Sequence, residues 1–352
     1  MKALLLSAYA AVSHRHWAQG VIEWLDDIQW TLLELPPRHF SWRIRGNPLT
    51  WMVREHETLS QEYDVILATS MVDLATLCGL YPHLGQAHKV VYFHENQFAY
   101  PLSAHQRPQV EALMVNLYSA LAADRLVFNT AYNCDSFLAG AESFLKRMPD
   151  NLPMTRPLAQ LAERAEVVPV PISPLRRPPP DRPPGHRLIW NHRWEYDKNP
   201  DDFFAVLVSL AERDLDFEVA VMGQQFRERP AIFDEARERL GDRVVCWGAQ
   251  PEVRYREMLA SGDIVISTTW HEFQGLSIME AAQLGVRPLV PDRLCFPELY
   301  PAAYRYDGTR DGLEATLAAW LTHSQQRPPP LDVGAWEWPA MVGRYRALLQ
   351  TP

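Results

Sequence analysis

Three short segments end apolar runs with residues suited to handling a charged, hydroxyl-rich ligand. The first is TTWHEFQGLSIMEAAQLG, residues 268–285. An apolar run ending near Ser267 precedes it, and a helical pattern begins near Gly275 or Leu276. A glycine there permits close approach of a ligand to the backbone, and the following helix N-terminus offers N–H groups and a positive dipole end to a diphosphate. That dipole contributes ~0.3–2 kcal/mol per anionic group, so it assists binding without dominating it. Glu272 lies in the loop and Glu280 in the second helical turn, where its carboxylate could accept hydrogen bonds from both hydroxyls of a ribose. Two glutamates alone would be ordinary helix-end charges. The strand–glycine–helix context makes them candidates.

The second segment is LIWNHRWEYDKNP, residues 188–200. A strand ends at Trp190, the loop presents Arg193 and Lys198, and Pro200 suits the first turn of a helix. A planar guanidinium fork and a point-charge ammonium together match two phosphates. Desolvated contacts of this kind are worth about 1.5–3 kcal/mol each. The alternative is a solvated loop in which Arg193 pairs with Glu195 or Asp197. The third segment is VVYFHENQFAYP, residues 90–101. His94, Glu95, Asn96 and Gln97 follow a strand end at once, the position at which parallel sheets open onto ligands. His94 could hydrogen-bond a sugar hydroxyl or stabilise a developing oxocarbenium ion; a structural hydrogen bond is the competing role. The tract FNTAYN, residues 128–133, offers Asn129 and Thr130 either to a ligand or as a helix cap.

The elements that must position these residues follow from periodicity. Apolar runs at Met1–Leu6, Tyr63–Ala68, Lys89–Phe93, Arg125–Phe128 and Ala165–Val170 read as buried strands, with helical spacing at Trp17–Leu25 and Gln109–Ala122. Strands alternating with helices predict a parallel sheet covered on both faces. A proline tract (Pro169, Pro171, Pro174, Pro178, Pro179, Pro180, Pro183, Pro184) then marks a stiff linker. The alternation restarts with strands at Arg187–Trp190, Phe217–Met222, Val244–Trp247, Asp263–Ser267 and Val286–Val290. Helices at Pro200–Arg213, Ile232–Leu240 and Leu276–Leu284 separate them, and Trp336–Leu349 reads as a last amphipathic helix. The expectation is an α/β protein of two doubly wound, Rossmann-like domains facing a cleft: 1–172, a linker at 173–186, and 187–330. For the C-terminal helix, 331–352, packing back on the first domain is one arrangement.

Composition bounds the function. The chain has 352 residues, 47% hydrophobic and 22% charged, enough for two sizeable cores. The apolar start at Ala3–Leu6 ends well short of a signal peptide, and no stretch approaches the roughly 18 apolar residues of a membrane span. A soluble, cytoplasmic protein without a membrane partner is expected. Cys78, Cys134, Cys246 and Cys295 have no zinc-like spacing and read as reduced core thiols, so no metal site is expected. A net charge of -9 argues against a broad, sequence-independent nucleic-acid binder but leaves a local basic patch open. Arg38, Arg43, Arg45 and Arg54, interleaved with His39, Phe40, Trp42 and Trp51, form such a mixture, suited to stacking on bases and meeting phosphate. Buried tryptophans in a solvated loop are the alternative.

Taken together, the second half resembles the nucleotide-binding domain of glycosyltransferase family 4, retaining enzymes of the GT-B architecture, with Arg193, Lys198, Glu272 and Glu280 matching its donor-site pattern. A resemblance to the tRNA-queuosine mannosyltransferases covers almost the whole chain. It is carried by SHRHW near Ser13, FSWRIRG near Phe40, YFHENQFAYP, VFNTAYNCDSF, HRWEYDKNP, ISTTWHEFQG and CFPELYP. It implies a GDP-mannose donor, the cyclopentenediol of queuosine in a tRNA anticodon as acceptor, and no metal or other cofactor.

In that reading the catalytic residues are His94, Glu272, Arg193 and Lys198. Arg193 and Lys198 neutralise the diphosphate and Glu280 holds the ribose, while Glu272 with the backbone of Phe273, Gln274, Gly275 and Leu276 positions the mannose. Ser13, His14, Glu95, Asn96, Gln97, Asn129, Arg43 and Arg45 stand on the acceptor side. Where the family carries Gly-Gly before its Ser-His, this chain has Ala11-Val12, which is bulkier and bears on the acceptor side. Two other readings use the same residues: a family 4 transferase acting on a glycan, lipid or small metabolite, and a nucleotide-sugar-binding module without turnover. Retention of all four donor-site residues speaks against the module.

Overall fold

The computed structural model describes residues 1–100, 110–149, 155–175, 185–225 and 230–350. Pro101, Gln109 and residues 178–184 of the proline tract therefore lie outside the described residues. The chain divides into two compact units, Met1–Ser173 with Trp338–Pro352, and Pro174–Glu337.

The first unit is built on six strands: β1 (Lys2–Ser7), β2 (Gln29–Glu34), β3 (Val65–Thr69), β4 (His88–Phe93), β5 (Arg125–Phe128) and β6 (Ala165–Val167). They lie in the order β2-β1-β3-β4-β5-β6, every neighbouring pair parallel. β3 is buried along its whole length, which is why it reads as an unbroken apolar run. β2 was not legible: it is an edge strand, mostly half-buried, in QWTLLE. The core gathers Leu4, Leu6, Ile66, Phe93, Phe128 and Phe137, with Phe93 stacked on Phe128 at 4.6 Å.

The basic-aromatic segment Arg38–Arg54 divides between surface and core: Arg38, Trp42, Arg45 and Arg54 are exposed. Phe40–Arg54 is a helix with Arg43 and Trp51 buried and Trp42 exposed. Pro48, inside it, cannot bond the carbonyl of Ile44, and the Asn47 side chain donates to that oxygen instead, at 3.2 Å. Asn47 also donates to Arg43 O and Met71 O and accepts from Asp73 N, tying the helix to the loop after β3.

The second unit contains β7 (Arg187–Trp190), β8 (Glu218–Met222), β9 (Val244–Gly248), β10 (Ile264–Ile266), β11 (Arg287–Pro291) and β12 (Arg305–Tyr306). Their order is β12-β11-β10-β7-β8-β9, again parallel throughout. β12, with two residues, was missed because it is too short to show a period. An aromatic core holds this unit: Trp194 stacks on Phe233 at 4.0 Å with rings nearly parallel, beside Trp190, Phe203 and Phe204. Each such ring buries on the order of 150–250 Å².

The helix Trp338–Leu348 belongs to the first unit. Trp338 stacks on Trp24 and covers Gly20, where any Cβ would meet the indole at 2.5 Å. Tyr345 Oη accepts from Trp17 Nε1 at 3.0 Å and reaches Tyr92 Oη and Pro169 O, both at 3.1 Å. All four cysteines are free, and only Cys295 is buried; the other three are half-buried rather than core thiols. Among the described residues no helix is long and apolar enough to cross a membrane.

Candidate active site

Strand order reverses direction in the second sheet between β7 and β10, and open parallel sheets bind ligands at the carboxyl ends flanking such a point. The two donor-site segments leave the sheet there. After β7 the chain folds back tightly, with Trp194 N bonding Gln224 O at 3.0 Å. Gly223 makes this possible: its φ is +135°, and a Cβ would fall 1.9 Å from the His192 carbonyl oxygen. Asn199, in left-handed conformation, then starts the helix Pro200–Glu212.

Hydroxyls lace the second loop to the first. Thr268 Oγ1 donates to the carbonyl of Lys198 or Asn199, both at 2.9 Å, and Trp270 N donates to Asp197 O at 2.7 Å. The result is a nearly buried charge cluster. Lys198 Nζ donates to His271 O at 2.8 Å and to Glu272 Oε2 at 3.2 Å, and lies 3.4 Å from Asp197 Oδ2. Burial opposes the ammonium charge, but Glu272 and Asp197 outweigh it and raise the Lys198 pKa. Burial likewise pushes Glu272 up, yet Lys198 and the neighbouring imidazoles bring it down to about 2. His192 and His271 are held neutral, each lowered to about 4 by burial and then by Lys198. A fixed ammonium and a fixed carboxylate thus share one loop surface.

Glu272 Oε1 accepts from Phe273 N at 3.1 Å, and Gly275, at φ +78°, opens the helix Leu276–Gln283 with no side-chain cap. Phe273 and Gln274 bury their side chains, so what they offer a ligand is backbone. One turn on, Glu280 accepts from Tyr255 Oη at 3.2 Å. Asn191 Nδ2 donates to that same Tyr255 oxygen at 3.1 Å and to Ser277 O at 2.8 Å, and Asn191 Oδ1 is buried with no donor among the described residues. Sequence reading passed over both residues. Asn191 follows directly on the carboxyl end of β7, a position that itself signals a ligand site. Tyr255, on the helix Glu252–Ala260, carried no signal. Arg193 pairs with Glu195 at 3.0 Å, the pairing left open as an alternative, and its side chain is 47% exposed.

The first unit presents its own cluster at the end of β4. His94 is buried against His14 (ring centroids 4.3 Å apart), Trp17 and Tyr92. Burial, then the nearby His14, put its pKa well below the ordinary histidine value. His94 Nε2 is buried and has no hydrogen-bond partner among the described residues. His14 Nδ1 lies 2.9 Å from Tyr9 O, while Ser13 is exposed in the first turn of the helix Val12–Trp24, which has no side-chain cap.

Other acceptor-side candidates turn inward. Asn96 Nδ2 donates to Asn133 and Ser136, its Oδ1 accepts from Ala99 N, and it is fully buried. Asn129 donates to His94 O at 2.9 Å and accepts from Asn133. Both hold the loop that carries His94, a positioning role in place of the ligand contact expected. Thr130 caps the following helix by accepting from Asn133 N. Gln97 N is held by Asn116 Oδ1 at 2.8 Å, and Glu95 is half-buried beside it. Arg43 is buried, and Arg45 is exposed but ion-paired with Asp73.

Two six-stranded parallel sheets with flanking helices make this a protein of the GT-B fold. Sucrose-phosphate synthase from Thermosynechococcus elongatus superposes with a TM-score of 0.74 at 12% identity, covering 99% of this chain and 98% of that one. HepE from Anabaena, in complex with UDP-glucose, does so with a TM-score of 0.69 at 14% identity, covering 99% of both. At such identities the likeness establishes the fold alone. Sequence takes the identification further. Residues 2–172 match the family described as tRNA-queuosine alpha-mannosyltransferase N-terminal. The tRNA-queuosine alpha-mannosyltransferase of Drosophila melanogaster is 34% identical over 318 residues, 86% of this chain and 83% of the fly protein. The chain belongs to the tRNA-queuosine alpha-mannosyltransferase family, and it is an enzyme, a glycosyltransferase.

Proposed function

We propose that this protein transfers mannose from GDP-mannose to a cyclopentenediol hydroxyl of queuosine in a tRNA anticodon, with retention at the sugar carbon. The observation that carries the donor half is the Lys198–Glu272 contact beside the uncapped helix that starts at Gly275. It pairs a diphosphate-neutralising ammonium with a carboxylate suited to sugar hydroxyls, next to a helix N-terminus that has no side-chain cap. Family membership supports the acceptor half and the mannosyl group.

In this reading the bond between the sugar carbon and the diphosphate oxygen breaks, and one from that carbon to the acceptor oxygen forms. The acceptor proton leaves with the diphosphate. Lys198 and Arg193, the latter released from Glu195, stabilise the charge that builds on the departing diphosphate; a group held in place as Lys198 is acts mainly on the transition state. Glu280, held by Tyr255, takes the ribose hydroxyls. Glu272 and the backbone from Phe273 to Leu276 orient the mannose. The neutral His94 offers its unpaired Nε2 to a substrate hydroxyl. Basic side chains and helix N–H groups take the place of a metal ion, so EDTA should leave turnover unchanged. No covalent glycosyl-enzyme carboxylate is invoked, which separates this scheme from that of the two-carboxylate glycosidases.

The test is direct: incubate the protein with GDP-mannose and queuosine-containing tRNA, digest the RNA and weigh the nucleosides. A queuosine heavier by one hexose is expected, with none formed on tRNA carrying guanosine at the wobble position. Transfer from a different nucleotide sugar would refute the donor, and transfer to a lipid or free sugar alone would refute the acceptor.

A further inference from the structure

Trp270 lies two residues before Glu272 and does not bury itself: the residue is 52% exposed. Yet it is held rigidly. Its backbone N donates to Asp197 O at 2.7 Å, and the guanidinium of Arg293 lies over its ring, 4.1 Å from the centroid. Arg293 is itself pinned by carbonyls, bonding Thr268 O, Thr269 O and Gly308 O at 3.0–3.2 Å. The guanidinium is therefore a backing plate for the indole, committed to the loop and not offered to an anion. Among the described residues the indole N–H has no hydrogen-bond partner, and Tyr196, next to Asp197, is a second aromatic that is 52% exposed.

A large aromatic ring kept half in water at a fixed orientation forgoes about half of the roughly 1.5–3 kcal/mol that full burial is worth. Such an arrangement is suited to a flat partner that stacks on it. Nucleobases stack on aromatic side chains in single-stranded RNA, and the cation behind the ring adds to the platform.

We propose that Trp270 is a stacking platform for a base of the acceptor RNA neighbouring the nucleoside that receives the sugar, so that the donor-binding unit also reads the acceptor strand. This rests on the tRNA reading above and deepens it. Trp270 stands two positions before Glu272, taken above as the sugar-positioning carboxylate, so the platform belongs to the loop that holds the donor sugar. The ring then sets which hydroxyl meets the sugar while leaving the donor contacts alone.

The test compares wild type, Trp270→Ala and Trp270→Phe, full-length, on a queuosine-containing anticodon stem-loop. Loss of one base stack should lower kcat/KM for the RNA roughly 5- to 150-fold in Trp270→Ala. Affinity for GDP and thermal stability should stay at the wild-type level, and Trp270→Phe should recover most of the loss. Making a flanking base abasic should penalise the wild type by a similar factor and Trp270→Ala hardly at all. Full activity of Trp270→Ala on the RNA, or equal loss of GDP affinity, overturns the platform. So does equal sensitivity of wild type and variant to the abasic site. If wild type transfers nothing to queuosine RNA, the acceptor reading fails and takes this proposal with it; wild-type transfer with an unaffected variant refutes the Trp270 assignment alone.

Discussion

Replacing Lys198 by methionine separates what this residue does for the fold from what it does for the reaction. The ammonium lies 3.2 Å from Glu272 and 3.4 Å from Asp197, and its side chain is only 8% exposed. At an effective dielectric of about 20, two unit charges at that separation attract by about 5 kcal/mol. Breaking a buried pair by removing one partner costs about 3–5 kcal/mol, because the remaining charge is left uncompensated. Glu272 retains 20% exposure, which places the expected loss at the lower end. For a unit of this size a loss of 3–5 kcal/mol lowers Tm by roughly 6–20 °C. Differential scanning calorimetry across pH should show the deficit greatest at neutral pH. It should shrink on acidification, as Glu272, no longer held near 2, takes up a proton. Adding Glu272→Gln should restore much of the stability, since an amide needs no counter-charge, while turnover stays at least roughly 10²-fold down. A Lys198→Met protein as stable as wild type, or a double variant no more stable than the single, would refute the description of this cluster as a buried ion pair.

Acid should destabilise the second unit through its neutral histidines. His192 and His271 titrate near 4 in the fold against an ordinary 6.5, so the unfolded chain binds more protons between those values and stability falls as pH drops from about 6.5 to 4. Each contributes at most about 3 kcal/mol, and a His192→Gln/His271→Gln protein should give a flatter plot of Tm against pH over that window. In the first unit, Tyr345→Phe removes the acceptor for Trp17 Nε1, leaving a buried N–H unpaired at about 1–3 kcal/mol. A fall in Tm of about 2–12 °C follows. Because Tyr92, bonded by Tyr345, packs against His94, the same variant should lower kcat more than donor affinity, as steady-state kinetics can resolve.

What the residues determined by themselves was local. Parallel strands buried on both faces must be continuous apolar runs, so β1, β3, β4, β5, β7 and β10 could be read from composition and length alone, and with them the α/β class. The loops that end them could be read as candidates too, because polar clusters such as Arg193–Lys198 or His94–Gln97 follow such runs directly, although the same residues serve the loop itself in the Arg193–Glu195 pair and the Asn96 hydrogen bonds. Edge strands β2 and β12 carried no such pattern. The helix Phe40–Arg54 was hidden by Gly46, Asn47 and Pro48 at its centre, residues that oppose a helix unless a distant partner repairs the backbone, as Asn47 does through Ile44, Met71 and Asp73. Strand order was beyond reach of the sequence as well, and it is what decides the chemistry. Only the pairing of β7 with β10 brings Lys198 against Glu272, 74 positions later, and only folding assigns Tyr255 to Glu280 or turns Asn96 and Arg43 inward. Charge, burial and hydrogen-bond partners belong to neighbours in space, and a side chain's type fixes none of them until those neighbours are in place.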